Sequence, residues 1–187
     1  MKKLFTVLAV AVAAVFSANA EDFYVGGSLG FEHNAKRGEY QTNTFNIMPE
    51  IGYNINDHWA VGTTIGYEYR HTCGYDINMN MFNFSPYARF TYFRTNNSLV
   101  QLFIDGGAGI GLGWESSDGD GHTAVTWNVG LTPGVAFNIT NKFAIVAHLG
   151  FIGYKGANNA AYNGGAERRG GFFVNGTDLN LGFYYKF

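Results

Sequence analysis

Along most of the chain, apolar side chains recur at every second position. Eight stretches carry this alternation: residues 23–31, 45–53, 59–69, 82–92, 102–114, 125–137, 143–151 and 179–187. Period two is the spacing of a strand with two unlike faces, and stripes of helical spacing are absent. In the fifth stretch, Leu102, Ile104, Ala108, Ile110, Leu112 and Trp114 share one face. In the seventh, Phe143, Ile145, Ala147, Leu149 and Phe151 do the same. Each stretch is long enough to cross a bilayer as a tilted strand, which takes about 9–11 residues.

The opposite face carries Glu32, Glu50, Glu68, Arg70, Arg89, Asp105, Asp178 and Lys186, with most of the strand glycines. No charged residue in the eight segments falls on the apolar face. Alternation alone does not say which face points outward. An eight-stranded interior is just wide enough for its own side chains, so it cannot hold the many aromatics of the apolar set. The polar face is mostly Gly, Asn, Ser and Thr, whereas a soluble exterior needs many Lys and Glu. The apolar face is therefore expected to meet lipid. The fold class is all-β, an eight-stranded antiparallel up-and-down transmembrane barrel.

The connections fit that reading. Residues 55–58, 95–98 and 140–142 form short polar turns, while about 33–44, 71–79, 115–123 and 155–171 form longer polar loops. Short turns on one side and long loops on the other is the pattern of outer-membrane barrels. Aromatics gather near both ends. Phe23, Tyr53, Trp59, Tyr92, Phe137, Phe143 and Tyr185 lie on the turn side, and Phe31, Phe45, Tyr69, Phe82, Trp114, Trp127 and Phe151 on the loop side. Two such girdles are expected at the two headgroup layers. A weak repeat relates residues 49–55 to 133–139, and more loosely to 86–92. Its prolines, Pro49, Pro86 and Pro133, are the only three in the chain. Proline removes a ladder hydrogen bond, so a bulge is expected at each.

Composition agrees. Charged residues make up 14%, against the usual figure of about 25%, and there are 26 glycines. Lys2 and Lys3 precede an apolar run ending at Phe16, then Ser17-Ala18-Asn19-Ala20. This is the pattern of a secretory signal peptide. The domains are expected to be a signal peptide over 1–20, cleaved after Ala20, and a barrel over 21–187. Removal of the two lysines takes the formal charge from −2 to −4. No basic patch marks a nucleic-acid partner. The single Cys73 cannot form an internal disulfide.

On these residues the chain resembles the small outer-membrane barrels typified by the OmpA transmembrane domain and OmpX, and is especially similar to the porin-like barrels of Bacteroidetes. The carriers are Pro49–Tyr53, Ser85-Pro86-Tyr87-Ala88-Arg89-Phe90 and the terminal segment from Leu179 to Phe187. The resemblance implies that Phe183, Tyr185 and Phe187 form the signal read by the barrel-assembly machinery. It also implies a salt-bridge network inside the barrel and residence in the outer membrane.

The candidate lumen network is Glu50, Arg89, Asp105, Glu68, Arg70 and Lys186. Unpaired charges in a narrow lumen are costly, so pairing is expected, with Arg89 beside Asp105 and Glu50 at similar depth. Two roles are open, an ion gate and a stabilising plug, and the plug is preferred. Catalytic chemistry has little support. His148 is expected to face the lumen alone; His33, His58, His71 and His122 lie at strand ends or in loops without metal-ligand spacing. The stretch Asp118-Gly119-Asp120-Gly121-His122 has only part of a calcium loop. Residues 138–140 and 175–177 match glycosylation sequons by chance, and Glu167-Arg168-Arg169 reads as a solvated loop tip. No catalytic residue, cofactor or metal is expected. The expected role is structural or surface-interacting, adhesin-like, with a largely plugged lumen. Its partners would be outer-membrane lipid and surface ligands met through the long loops. A narrow channel for small solutes is the alternative, and a lipid-modifying enzyme a weaker one.

Overall fold

The computed structural model describes residues 22–35, 41–73, 77–116, 123–158, 167–174 and 179–187. The signal-peptide segment 1–20, Asp118–His122, the 175–177 sequon and Asp178 lie outside the described residues. Ten strands form one antiparallel sheet: β1 (Phe23–Asn34), β2 (Thr42–Asn54), β3 (Trp59–Thr72), β4 (Ile77–Arg94), β5 (Val100–Ser116), β6 (Thr123–Asn138), β7 (Phe143–Leu149), β8 (Phe151–Ala157), β9 (Glu167–Phe173) and β10 (Leu179–Lys186). Both β7 and β8 pair with β6, and both β10 and β9 pair back onto them. They are two halves of a seventh and an eighth stave. Pairing of β1 with β10, from Tyr24↔Lys186 to Leu29↔Leu181, closes the ring. The fold is a closed, eight-stave, up-and-down antiparallel barrel.

The sidedness follows the alternation. Leu29, Phe31, Ile65, Phe84, Leu112, Trp114, Leu131 and Phe183 are exposed on the outer wall, while Tyr24, Glu50, Arg89, Phe103, Asp105 and Tyr184 are buried within. An apolar exterior around a polar interior inverts a soluble protein and suits a hydrocarbon solvent. Closure over Tyr24–Leu29 leaves no free edge at that depth, as lipid demands, while toward the loops β9 is paired with β8 alone among the described ladders. Aromatic pairs mark both rims. Phe23 lies 4.9 Å from Tyr53 and Trp59 4.8 Å from Phe90 at the turn end, and Phe82 lies 5.8 Å from Trp114 at the loop end.

The short turns are locally capped. Asn56 Oδ1 accepts from the amides of His58 and Trp59, both at 2.9 Å, and Thr140 Oγ1 accepts from those of Lys142 and Phe143. Side-chain acceptors of this kind fix a tight reversal.

Three expectations are corrected. First, the seventh stave is not continuous. β6 meets β7 at Gly134↔His148 but meets β8 at Leu131↔Ile152, so the seventh stave holds one extra residue there. The bulge falls at Gly150, whose φ is +103°, a region that L side chains rarely enter. One inserted residue exchanges the two faces beyond it. Phe151, expected in the outer girdle, is buried inside the barrel, and Ile152 and Tyr154 take the outer wall. Second, Glu167, Arg168 and Arg169 are not a loop tip. They open β9, register-paired with Ala157, Gly156 and Lys155, so the fourth connection is shorter than residues 155–171. Third, Pro49 and Pro86 carry no bulge. The β2–β3 register is the same on both sides of Pro49, and the β4–β5 register on both sides of Pro86; the ladders merely skip those positions. Only Pro133 faces a bulge, the one at Gly150 across from it. A separate irregularity lies between Thr91 and Phe93.

Candidate functional site

Arg89 of β4 and Asp105 of β5 are direct register partners, both pointing inward. Arg89 Nε donates to Asp105 Oδ1 at 2.7 Å, and Arg89 Nη2 donates to Oδ2 at 2.7 Å. This is the bidentate fork by which a guanidinium best matches a carboxylate. Arg89 Nη2 also reaches Glu50 Oε1 of β2 at 3.4 Å and the Tyr184 hydroxyl of β10 at 2.8 Å. That hydroxyl donates onward to Glu50 Oε2 at 3.0 Å. Tyr87 donates to Glu50 Oε1. Since its proton is used there, Tyr24 of β1, 2.6 Å away, donates to the Tyr87 oxygen. One cation therefore holds two carboxylates across the barrel, and tyrosine hydroxyls fill the remaining acceptor positions. A buried ionic cluster is tolerated only with such complete hydrogen bonding.

The cluster is closed from below by rings. The Arg89 guanidinium carbon stands 3.9 Å from the centre of the Phe103 ring, 5.0 Å from Tyr184, 5.2 Å from Tyr87 and 5.8 Å from Tyr24. The side chains of Arg89, Glu50 and Asp105 are only 8%, 4% and 8% exposed. Space for the rings comes from inward glycines on neighbouring strands. A Cβ on Gly52 would strike the Tyr24 ring, one on Gly62 the Tyr87 ring, one on Gly134 the Phe103 ring and one on Gly26 the Tyr184 ring.

His148 is not alone, contrary to the expectation from sequence. Its Nε2 lies 3.1 Å from Asp105 Oδ2, and its ring meets Phe103 edge-on at 5.5 Å. The six expected network residues do not form one network. Glu50, Arg89 and Asp105 come together. Arg70 Nη2 pairs instead with Glu68 Oε1 at 2.9 Å, nearer the loops. Lys186 donates to Asn138 Oδ1 at 2.9 Å, near the turns. Sequence reasoning omitted Tyr24, Tyr87, Phe103 and Tyr184. Their signal was parity: each stands two residues from an inward position, beside Gly26, Arg89, Asp105 and Lys186 respectively.

The cluster divides the lumen. Toward the loops lies a cavity of about 370 Å³, with Glu50, Tyr87, Asp105 and His148 in its floor. Toward the turns lies another of about 320 Å³, roofed by Tyr24, Arg89, Phe103 and Tyr184. Phe183 and Tyr185 lie on the outer wall of β10; Phe183 stacks on Phe143 at 6.0 Å, and the amide of Phe187, just past β10, donates to the Phe23 carbonyl at 3.2 Å. Among the described residues no group of three His, Cys, Asp or Glu is placed to hold a metal ion.

An apolar wall, a closed ladder and a polar lumen define a transmembrane β-barrel of the outer-membrane type. The outer membrane protein beta-barrel domain family matches residues 4–187, and the chain belongs to that family. It resides in the outer membrane. No curated protein matches it in sequence. Its fold is similar to three solved barrels. Neisserial surface protein A is 17% identical, with a TM-score of 0.57 over 88% of this chain and 97% of that one. The N-terminal β-barrel domain of Pseudomonas aeruginosa OprF is 12% identical, with 0.51 over 89% and 98%. Pseudomonas aeruginosa OprG is 15% identical, with 0.51 over 90% and 96%.

Proposed function

We propose that this barrel is a structural and surface-interaction protein of the outer membrane with a closed lumen, and that it is not an enzyme. The observation that supports this most is the Arg89 cluster. It joins β1, β2, β4, β5, β7 and β10 across the interior, leaving a blind cavity on each side. Tying opposite walls together stiffens the barrel, and a desolvated layer at mid-lumen opposes steady passage of ions. With the turns in the periplasm, the four longer connections lie outside the cell, where they can meet surface ligands. Residues 1–20 act as the cleaved export signal. Phe183, Tyr185 and Phe187 act as the signal for the assembly machinery, supported by their shared outward face at the end of the last strand.

The pair of cavities supports a second reading, a narrow channel in which the Arg89 layer moves aside. Single-channel recording on refolded protein in a planar bilayer separates the two. A closed lumen gives little or no steady current. Large, stable current steps would establish the channel.

A further inference from the structure

The outer wall changes character where β6, β8 and β9 approach the loops. Three register rows cross the strands there. Leu131, Ile152 and Phe172 form the lowest and are exposed. In the next row Tyr154 pairs with Gly170. Trp127, Gly156 and Arg168 form the third, nearest the loops. Arg168 alternates with Arg169, which lines the lumen, so Arg168 lies on the outer face. It is exposed.

Both upper rows set an aromatic ring across a glycine. A Cβ on Gly156 would stand 2.4 Å from Trp127 Cε2, and one on Gly170 would stand 2.5 Å from Tyr154 Cε1. The rings of Trp127 and Tyr154 therefore lean toward β9, on the side where Arg168 stands. Three donors of this patch are unused. Among the described residues, the Trp127 indole N–H, the Tyr154 hydroxyl and the Arg168 guanidinium make no hydrogen bond, and Arg168 makes no ion pair. None of the outward positions in the three rows is Asp or Glu. The patch offers contact donors, whatever the net charge of the rim.

Residence in the outer membrane puts this wall against lipid. Indole and phenol rings sit at the headgroup layer, where one end is apolar and the other wet. A guanidinium beside them matches a phosphate with paired, charge-assisted bonds. Below it, Ile152 and Phe172 give an apolar surface for an acyl chain.

We propose that Arg168, Trp127 and Tyr154 form a headgroup site for one phosphate-bearing lipid of the outer leaflet. Arg168 holds the phosphate, the indole N–H and the phenol O–H donate to oxygens of the same headgroup, and the chains run down the Ile152–Phe172 wall. Only the choice of leaflet rests on the reading that the longer connections face outward.

The test is native mass spectrometry of the folded full barrel in detergent, titrated with dimyristoyl phosphatidic acid or with dimyristoylglycerol, which has the same chains and no phosphate. Phosphatidic acid binds at least about tenfold more tightly, and Arg168→Gln removes that preference, as loss of a hydrogen-bonded charge requires. Trp127→Phe and Tyr154→Phe keep the rings, remove the donors, and weaken binding by about two- to tenfold each. Arg94→Gln, at the turn end, leaves binding unchanged. Inorganic phosphate at the same concentration does not displace the lipid. Heat-dependent gel mobility verifies that each variant is folded. Equal binding of dimyristoylglycerol, wild-type affinity in folded Arg168→Gln or in both ring variants, an equal loss in Arg94→Gln, or displacement by inorganic phosphate would overturn the site. Proteolysis of intact cells isolates the other failure. Cleavage confined to the short turns would refute the outward placement of the longer connections and move the lipid to the inner leaflet, with the binding data unaffected.

Discussion

The guanidinium carbon of Arg89 lies 3.9 Å from the centre of the Phe103 ring, two residues before the Asp105 carboxylate that the same guanidinium grips. Residues two apart on a strand share a face. β5 therefore offers both a flat ring and an anion to one cation, and the planar guanidinium fits both at once where an ammonium would not. The centre of the lumen depends on this one side chain.

Arg89→Ala leaves Glu50 and Asp105 buried without their shared cation. Breaking a buried pair from one side typically costs about 3–5 kcal/mol, with the lower end expected if water enters from either cavity. Unfolding in lipid vesicles, followed by tryptophan fluorescence, measures the loss. Planar-bilayer recording of the variant is expected to show new leak current. Arg89→Lys restores the charge without the fork and should fall between. Wild-type stability in Arg89→Ala would mean that the cluster does not brace the barrel.

Leu131 is exposed on the outer wall, while the next residue, Thr132, lines the loop-side cavity. Leu131→Arg should destabilise the inserted barrel by about 2–4 kcal/mol if the site lies near the bilayer midplane. Thr132→Ser should cost well under half of that. The opposite ranking in a lipid unfolding titration would mean that the faces are reversed.

Gly150 makes the phase change of the seventh stave. A side chain there would face both the positive φ and the Phe173 carbonyl oxygen 2.7 Å away. Gly150→Ala is expected to cost about 1–3 kcal/mol, the range for a residue forced into a sparsely populated backbone region. Gly106→Ala is the control. Its new Cβ meets nothing nearer than Leu131 Cδ2 at 3.4 Å, and its effect should be within a few tenths of a kcal/mol. A thermal melt that does not separate the two variants would contradict the bulge.

Deleting Phe187 should lower the amount of barrel reaching the outer membrane in cells while leaving refolding of purified protein into detergent nearly unchanged. Its ring makes a T-shaped contact with Tyr185 at 5.3 Å, and its amide donates to the Phe23 carbonyl. Membrane fractionation and a refolding yield measured side by side distinguish an assembly role from a structural one. Normal outer-membrane levels would remove Phe187 from the signal.

The period-two pattern by itself determined the strand character, six of the eight staves nearly to their ends, and the sidedness of the wall. Ile65 or Leu112 facing lipid is dictated by its neighbours in sequence, because successive strand residues point to opposite faces whatever the partner strand. The pairing of Arg89 with Asp105 was equally legible, since hairpin neighbours meet across a short turn. The tertiary structure decided the rest. Tyr184 joins Arg89 and Glu50 only because β10 closes on β1 at a particular stagger, and stagger is a property of the whole ring. Glu68 and Arg70 separate from the central cluster because depth along the tilted staves depends on that same stagger. The single residue inserted at Gly150 reverses the faces of β8, moving Phe151 and Lys155 into the lumen, and Phe173 and Arg169 of β9 are their register partners. Read alone, Gly150 is one more glycine in a glycine-rich strand. It becomes a bulge only when β6 holds its register on both sides, since a bulge is a mismatch in count between two paired strands and neither strand carries it alone.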